Sequence, residues 1–363
     1  MPSSTSSFER AVPRGAWPAA GIVALLIFLV VMAAWELRVR ANGYEPSLND
    51  SSDLWARARS RVSTDPDQTV IVGSSRIQFD FDLATWAEQT GGRMPVQLAM
   101  PGTNPTAILE DVAASGFRGT LILGVAPGLW FVPEGQPVTL ATNAVGRFHN
   151  WSPSQRVGLT LGMFVQRQFA LINAEDLTLG MLLSRIQLPN RPGAVPNLPP
   201  TLPPYFAAPD EHRQARMWPQ CNFGSPLALK IQQTWLPLFT PPPPPPHLSP
   251  EEFQGMLAGN MEAHLERIRI SVEAVRSRGG RVVFVRPPSA GALRELEGKF
   301  SPREGFWDRM LAVTGAPGIH FEDHPELAGF DCPEWSHLRA DDALAYSAAL
   351  APLLTAALAG QNR

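Results

Sequence analysis

Residues 16–35 form an uncharged and almost wholly apolar run, with Arg10 and Arg14 before it and Arg38 and Arg40 after it. A helix needs about 20 such residues to span a bilayer, and apolar character all round suits lipid better than a single buried face. The run predicts an uncleaved membrane anchor. A cleaved signal peptide ending at Ala33-Ala34 competes with it, but Met32 stands where a small residue is wanted. Arginines on both sides leave the orientation undecided by charge bias. No later stretch has the same character, since residues 157–188 are broken by Arg167, Glu175, Asp176 and Arg185.

Beyond the anchor, short apolar runs alternate with helical spacing. Strands are predicted at residues 69–73, 95–99, 120–124, 281–285 and 318–321. Continuous runs rich in β-branched residues suit parallel strands covered on both faces. Residues 79–88 have helical spacing. Asn104-Pro105 opens a helix, with Asn as cap and Pro in the first turn, and Ile108, Leu109 and Val112 continue it. Ser249-Pro250-Glu251-Glu252 starts another that runs to Arg278 and stops at Gly279-Gly280. Residues 341–358 close the chain as helix, with a bend expected at Pro352. Strand–helix alternation implies right-handed crossovers and a parallel sheet with helices on both faces.

The alternation is interrupted. Residues 1–40 are tail and anchor, 41–135 the first half of an α/β domain, 136–250 an insertion and 251–363 the second half. Proline is unusually frequent, 37 in 363 residues, against a typical share of about 5%. The insertion ends in the proline run 241–246, which favours polyproline II. It either caps a site or is a surface excursion.

Composition narrows the chemistry. A net charge of −3 offers no basic face for nucleic acid. The two cysteines, Cys221 and Cys332, fit no zinc spacing, and no His-Glu-x-x-His pair is present, so neither a metal nor another cofactor is expected. The thiols either pair in an oxidising compartment or lie free in the core. His320 and His324, beside the fifth strand, read as ordinary structural histidines, and Arg286-Pro287-Pro288-Ser289 as a rigid turn.

In open parallel sheets, sites lie beyond the carboxyl ends of the strands. Three blocks fall there: Gly73-Ser74-Ser75-Arg76 after the first strand, Pro101-Gly102-Thr103-Asn104 after the second, and Glu334-Trp335-Ser336-His337 before the last helix. The first would more commonly be a simple helix cap. A serine on a strand-to-helix turn, a glycine turn, then a carboxylate and a histidine near the chain end nevertheless make an order suited to acyl transfer.

That order resembles the SGNH (GDSL-type) hydrolase superfamily over roughly residues 69–125 and 281–350. The resemblance implies a flavodoxin-like three-layer α/β/α sandwich with a parallel sheet. It implies Ser75 as nucleophile, His337 as base, and the amides of Ser75 and Gly102 as oxyanion donors. The acid position holds Glu334 rather than Asp, with Asp331 in reserve. The family's Gly-x-Asn-Asp block is missing, because the chain reads Gly124-Val125-Ala126-Pro127, and Asn104 is the one substitute donor at hand. Arg76 is expected in a surface ion pair, or on an anionic substrate. Together with the anchor, these features resemble extracytoplasmic (periplasmic) proteins that move acyl groups onto cell-surface polysaccharide. That implies a glycan or acyl-ester substrate and a membrane acyl-donor partner. A silent scaffold that binds glycan or membrane partners, and a small-ester esterase or lipase, are the competing functions.

Overall fold

The computed structural model describes residues 15–173, 177, 203, 206–241 and 244–362. Seven strands are present among them: β1 (Thr69–Val72), β2 (Val96–Gln97), β3 (Thr120–Gly124), β4 (Ala207–Pro209), β5 (Ala215–Met217), β6 (Arg281–Arg286) and β7 (Gly318–His320). Five form one parallel sheet in the order β2-β1-β3-β6-β7, and β4 pairs with β5 as a separate antiparallel hairpin. The direction of winding reverses at β1 and β3, so a switch point lies at their carboxyl ends.

Successive strand residues point to opposite faces, and each face has its own core. Val70, Val72, Leu121, Leu123, Val282 and Phe284 pack with Ile108, Val112, Ile268 and Val272 on one side. Ile71, Ile122, Val283, Val285 and Ile319 pack with Trp86, Tyr346, Leu350 and Leu354 on the other. The last two pairs of residues named on each side come from helices, so helices cover both faces. The closing helix, Ala340–Ala359, is apolar enough to pass for a membrane span, but its buried side faces this sheet.

The helix Trp17–Ala41 is long and apolar enough to cross a membrane, and the apolar stretch is not buried in the protein. Its far end is docked. Glu36 accepts from the amides of Ala170 (3.0 Å) and Leu171 (2.9 Å), and Arg40 donates to the Gln168 carbonyl (3.0 Å).

Some expected elements are redrawn. Residues 79–88 are not one helix: Ser75–Asp80 ends before Phe81, and Asp82 caps a second helix, Leu83–Thr90, by accepting from Thr85 N–H at 2.8 Å. The 249–252 start signal forms a full capping box on the helix Pro250–Arg276. Cys221 and Cys332 are both buried and free. The stretch 157–188 and the proline run 241–246 lie partly outside the described residues.

Candidate active site

Gly73 ends β1 because the next helix must approach closely. A Cβ there would lie 2.6 Å from Ile77 Cγ2 and 2.7 Å from the Gly124 carbonyl. The turn delivers Ser75 to the first position of the helix Ser75–Asp80. Ser74 makes no capping bond through its side chain. The serine pair is therefore not a simple cap: the half-buried Ser75 hydroxyl lies 2.8 Å from Nε2 of His337, 262 positions along the chain.

His337 is held from the other side. Its Nδ1 is 3.0 Å from Glu334 Oε1, and both residues are essentially inaccessible to solvent. The same oxygen accepts from the backbone amides of Ser336 (3.2 Å) and His337 (2.5 Å). Between Glu334 and these amides, Trp335 takes φ = 77°. A bulky residue rarely adopts this conformation, which costs on the order of 1–3 kcal/mol. The turn brings both amides onto the carboxylate. With Nδ1–H donated to Glu334, Nε2 is left to accept the Ser75 proton, the arrangement a serine nucleophile requires.

The remaining Glu334 oxygen, Oε2, accepts from the Trp235 indole N–H at 2.5 Å. Trp235 lies on the helix Pro226–Phe239, inside the inserted segment. Phe206, beside β4, sits 5.5 Å from the His337 ring centroid, and Phe79, on the helix Ser75–Asp80, sits 4.4 Å from it. These rings belong to a cluster with Met217, Ile231 and Leu293. The insertion thus packs on the imidazole and completes the hydrogen bonding of the acid. Trp235 carries no local sequence signal, as its partner is 99 positions away.

Gly102 lies at the same sheet edge, in an exposed turn with φ = 66°. That turn is tied to the serine turn through the Met100 amide, which donates to the Gly73 carbonyl at 3.0 Å. Three expectations are corrected here. Asn104 is not available as an oxyanion donor: its NH₂ donates to the carbonyls of Trp130 (3.0 Å) and Val132 (2.8 Å), and its oxygen caps Thr106 N–H. Asp331 does not serve His337, being exposed and bonded to the Cys332 amide. Arg76 makes neither a surface pair nor a contact surface for substrate. It is buried behind the serine, 2.9 Å from Glu297 and 3.4 Å from the Ser336 hydroxyl.

Glu297 also takes Arg286 at 2.5 Å and the Ser289 hydroxyl at 2.7 Å. Burial alone would raise its carboxyl, but Arg286 and Arg76 outweigh that and bring it down to about 2. The turn after β6 is thereby locked to the helix that follows β1. Asp80, at the end of that helix, accepts from the Leu338 amide at 2.8 Å and so anchors the histidine loop. Burial pushes the Asp80 carboxyl well above the usual range. No cluster of three or more metal-ligating side chains is present among the described residues.

The chain matches no known protein-family model, no curated protein and no solved structure.

Proposed function

We propose that this protein is a membrane-anchored serine enzyme of SGNH-hydrolase type that acts on acyl esters, moving an O-acyl group such as acetyl onto, or off, a cell-surface glycan. The observation that carries this reading is the continuous chain Ser75 Oγ–His337–Glu334–Trp235, assembled from three distant parts of the sequence at hydrogen-bond distances. His337 takes the Ser75 proton as the oxygen attacks the acyl carbonyl, Glu334 stabilises the resulting imidazolium, and the imidazolium returns that proton to the donor oxygen as the ester C–O bond breaks and the donor alcohol leaves. The amides of Ser75 and Gly102 receive the oxyanion. The acyl-serine is released to a glycan hydroxyl or to water, with His337 as the shared base. In this reading the helix Trp17–Ala41 crosses the membrane and the domain lies on the extracytoplasmic side, where a membrane protein supplies the acyl group.

The apolar Gly124-Val125-Ala126-Pro127 turn and the committed Asn104 favour one second reading, a silent scaffold of the same fold that binds glycan or membrane partners. Fluorophosphonate labelling of the full chain in detergent, followed by peptide mass spectrometry, separates the two. The enzyme reading requires an adduct on Ser75 that is lost in His337→Ala. A folded protein with an unmodified Ser75 would leave the scaffold standing.

A further inference from the structure

The helix Pro153–Gln166 is held by a Ser152–Gln155 capping box and is unusual in what it shows to solvent. Val157, Leu161 and Phe164 recur at i, i+4 and i+7, the spacing of a single helix face. That face points outward: Leu161 is 64% and Phe164 70% exposed, with Val165 and Phe169 exposed beside them. The opposite side, through Leu159 and Met163, packs on Leu48 and Leu54. A surface helix ordinarily turns charged residues to water. Here the neighbours on the outer face are Pro153, Ser154, Gly158 and Thr160, and Arg156 lies to the side, over the Trp151 ring.

Its position identifies the occupant. The segment that leaves this helix is bonded to the anchor at Glu36 and Arg40. Glu36 is the first charged residue after the apolar run, so this junction marks the edge of the hydrocarbon layer. Phe169 is fixed at that level. Val165 and Leu161 follow at successive turns of roughly 5.4 Å. Exposed Arg38 stands at the junction, with Arg40, paired with Glu36, and Arg167, paired with Glu211, nearby, so that arginine side chains border the level expected for lipid headgroups.

We propose that the outer face of the helix Pro153–Gln166, continued by Phe169, lies in the headgroup–acyl boundary of the bilayer that the helix Trp17–Ala41 crosses. The inference rests on the anchor reading above and is independent of the ester chemistry. The anchor and this face give the domain two attachments to one surface, which fixes its tilt as well as its height.

The test uses the full chain in phosphatidylcholine–phosphatidylglycerol vesicles. Leu161→Cys and Phe164→Cys carry an environment-sensitive fluorophore, and Glu273→Cys, exposed on the helix Pro250–Arg276, is the reference. The native thiols are buried and are spared by mild labelling. Circular dichroism confirms that each variant is folded. The expected result is blue-shifted emission at positions 161 and 164, quenched several-fold more by headgroup-level nitroxide lipid than at position 273. Water-like emission at 161 and 164 would overturn the proposal. So would blue-shifted emission without lipid quenching, which would mean that protein covers the face, either a second copy or another part of this chain. If the reference variant fails to float with the vesicles, the anchor reading itself falls; floating protein with unquenched probes removes only the present inference.

Discussion

β1 and β3 lie side by side, with Val72 opposite Leu123, and each leads into a glycine at its carboxyl end. Both glycines are there for Ile77, whose side chain would collide with a Cβ at Gly73 (2.6 Å) or at Gly124 (2.3 Å). Past the glycines the two turns diverge. After β1 the chain presents Ser75 to His337. After β3 it stays apolar and buried, the Val125 amide donating to the Val285 carbonyl (2.7 Å) and the Trp130 indole to the Gly124 carbonyl (2.6 Å). A glycine at a strand end therefore reports close packing, and the residues after it decide whether chemistry follows.

The sharpest way to break this contrast is to give the β3 turn a polar group. Under the proposed SGNH-type reading, Ala126 stands at the position of that family's asparagine donor. A single oxyanion donor is worth about 10²–10³ in rate, so Ala126→Asn is expected to raise the fluorophosphonate labelling rate of Ser75 by at least about tenfold. An unchanged rate in a folded variant would mean that the β3 turn does not face the reacting atoms.

Crowding at the glycines comes next. Gly73→Ala forces Ile77 and the Gly124 backbone apart, and overpacking of this kind costs typically about 1–3 kcal/mol. Denaturant melts of the variant should show that loss, and wild-type stability would disprove the close-packing account of the turn.

A smaller effect is expected at Trp235. Trp235→Phe removes one donor to Glu334 while keeping the ring, a loss of about 1–1.5 kcal/mol, or roughly tenfold in rate. The decrease should appear in kcat for an ester substrate with KM little changed, beside a modest fall in melting temperature because the buried carboxylate loses a donor. A fall in melting temperature with kcat intact would make Trp235 purely a packing residue.

The last prediction concerns the ion pairs behind the β1 turn and is read in the pH dependence alone. The folded carboxyl of Glu297 lies below its unfolded value of 4.5, at about 2. Its contribution to stability is complete above pH 4.5 and is lost as pH falls from there toward about 2. Glu297→Gln should flatten the dependence of the melting temperature on pH across that window. An unaltered slope would show that Glu297 is not charged in the folded protein.

Much of the sheet was legible in the sequence because its strands are buried on both faces and so appear as unbroken apolar runs. Ser75, Glu334 and His337 were legible through their order relative to those strands. What was not legible depended on long-range pairing. Arg76 looked like a surface charge because Glu297 is 221 positions away. Asn104 read as the helix cap; the cap position is Pro105, but the Asn104 oxygen does accept from Thr106 N–H, while its NH₂ is taken by the Trp130 and Val132 carbonyls, which disqualifies it as a donor. The break between Asp80 and Leu83 reflects Asp82, a local cap hidden inside an apolar pattern.

The segment that joins the helix Trp17–Ala41 to the domain has a consequence for encounter kinetics. Tyr44 packs edge-on against Trp218 at 5.0 Å, and Asp50 grips the buried Arg213 guanidinium at 2.5 and 2.8 Å while also accepting from Gln78, on the same helix as Ser75. A flexible linker of about ten residues would let a domain wander roughly 17 Å from its root. This one has no slack to wander with. Under the proposed topology, a partner or substrate in the same membrane meets Ser75 by diffusing in a plane, at a height set by folded protein. Turnover then follows the number of such molecules per unit area of bilayer rather than their bulk concentration, and inserting flexible residues near Gly43 would convert the one regime into the other.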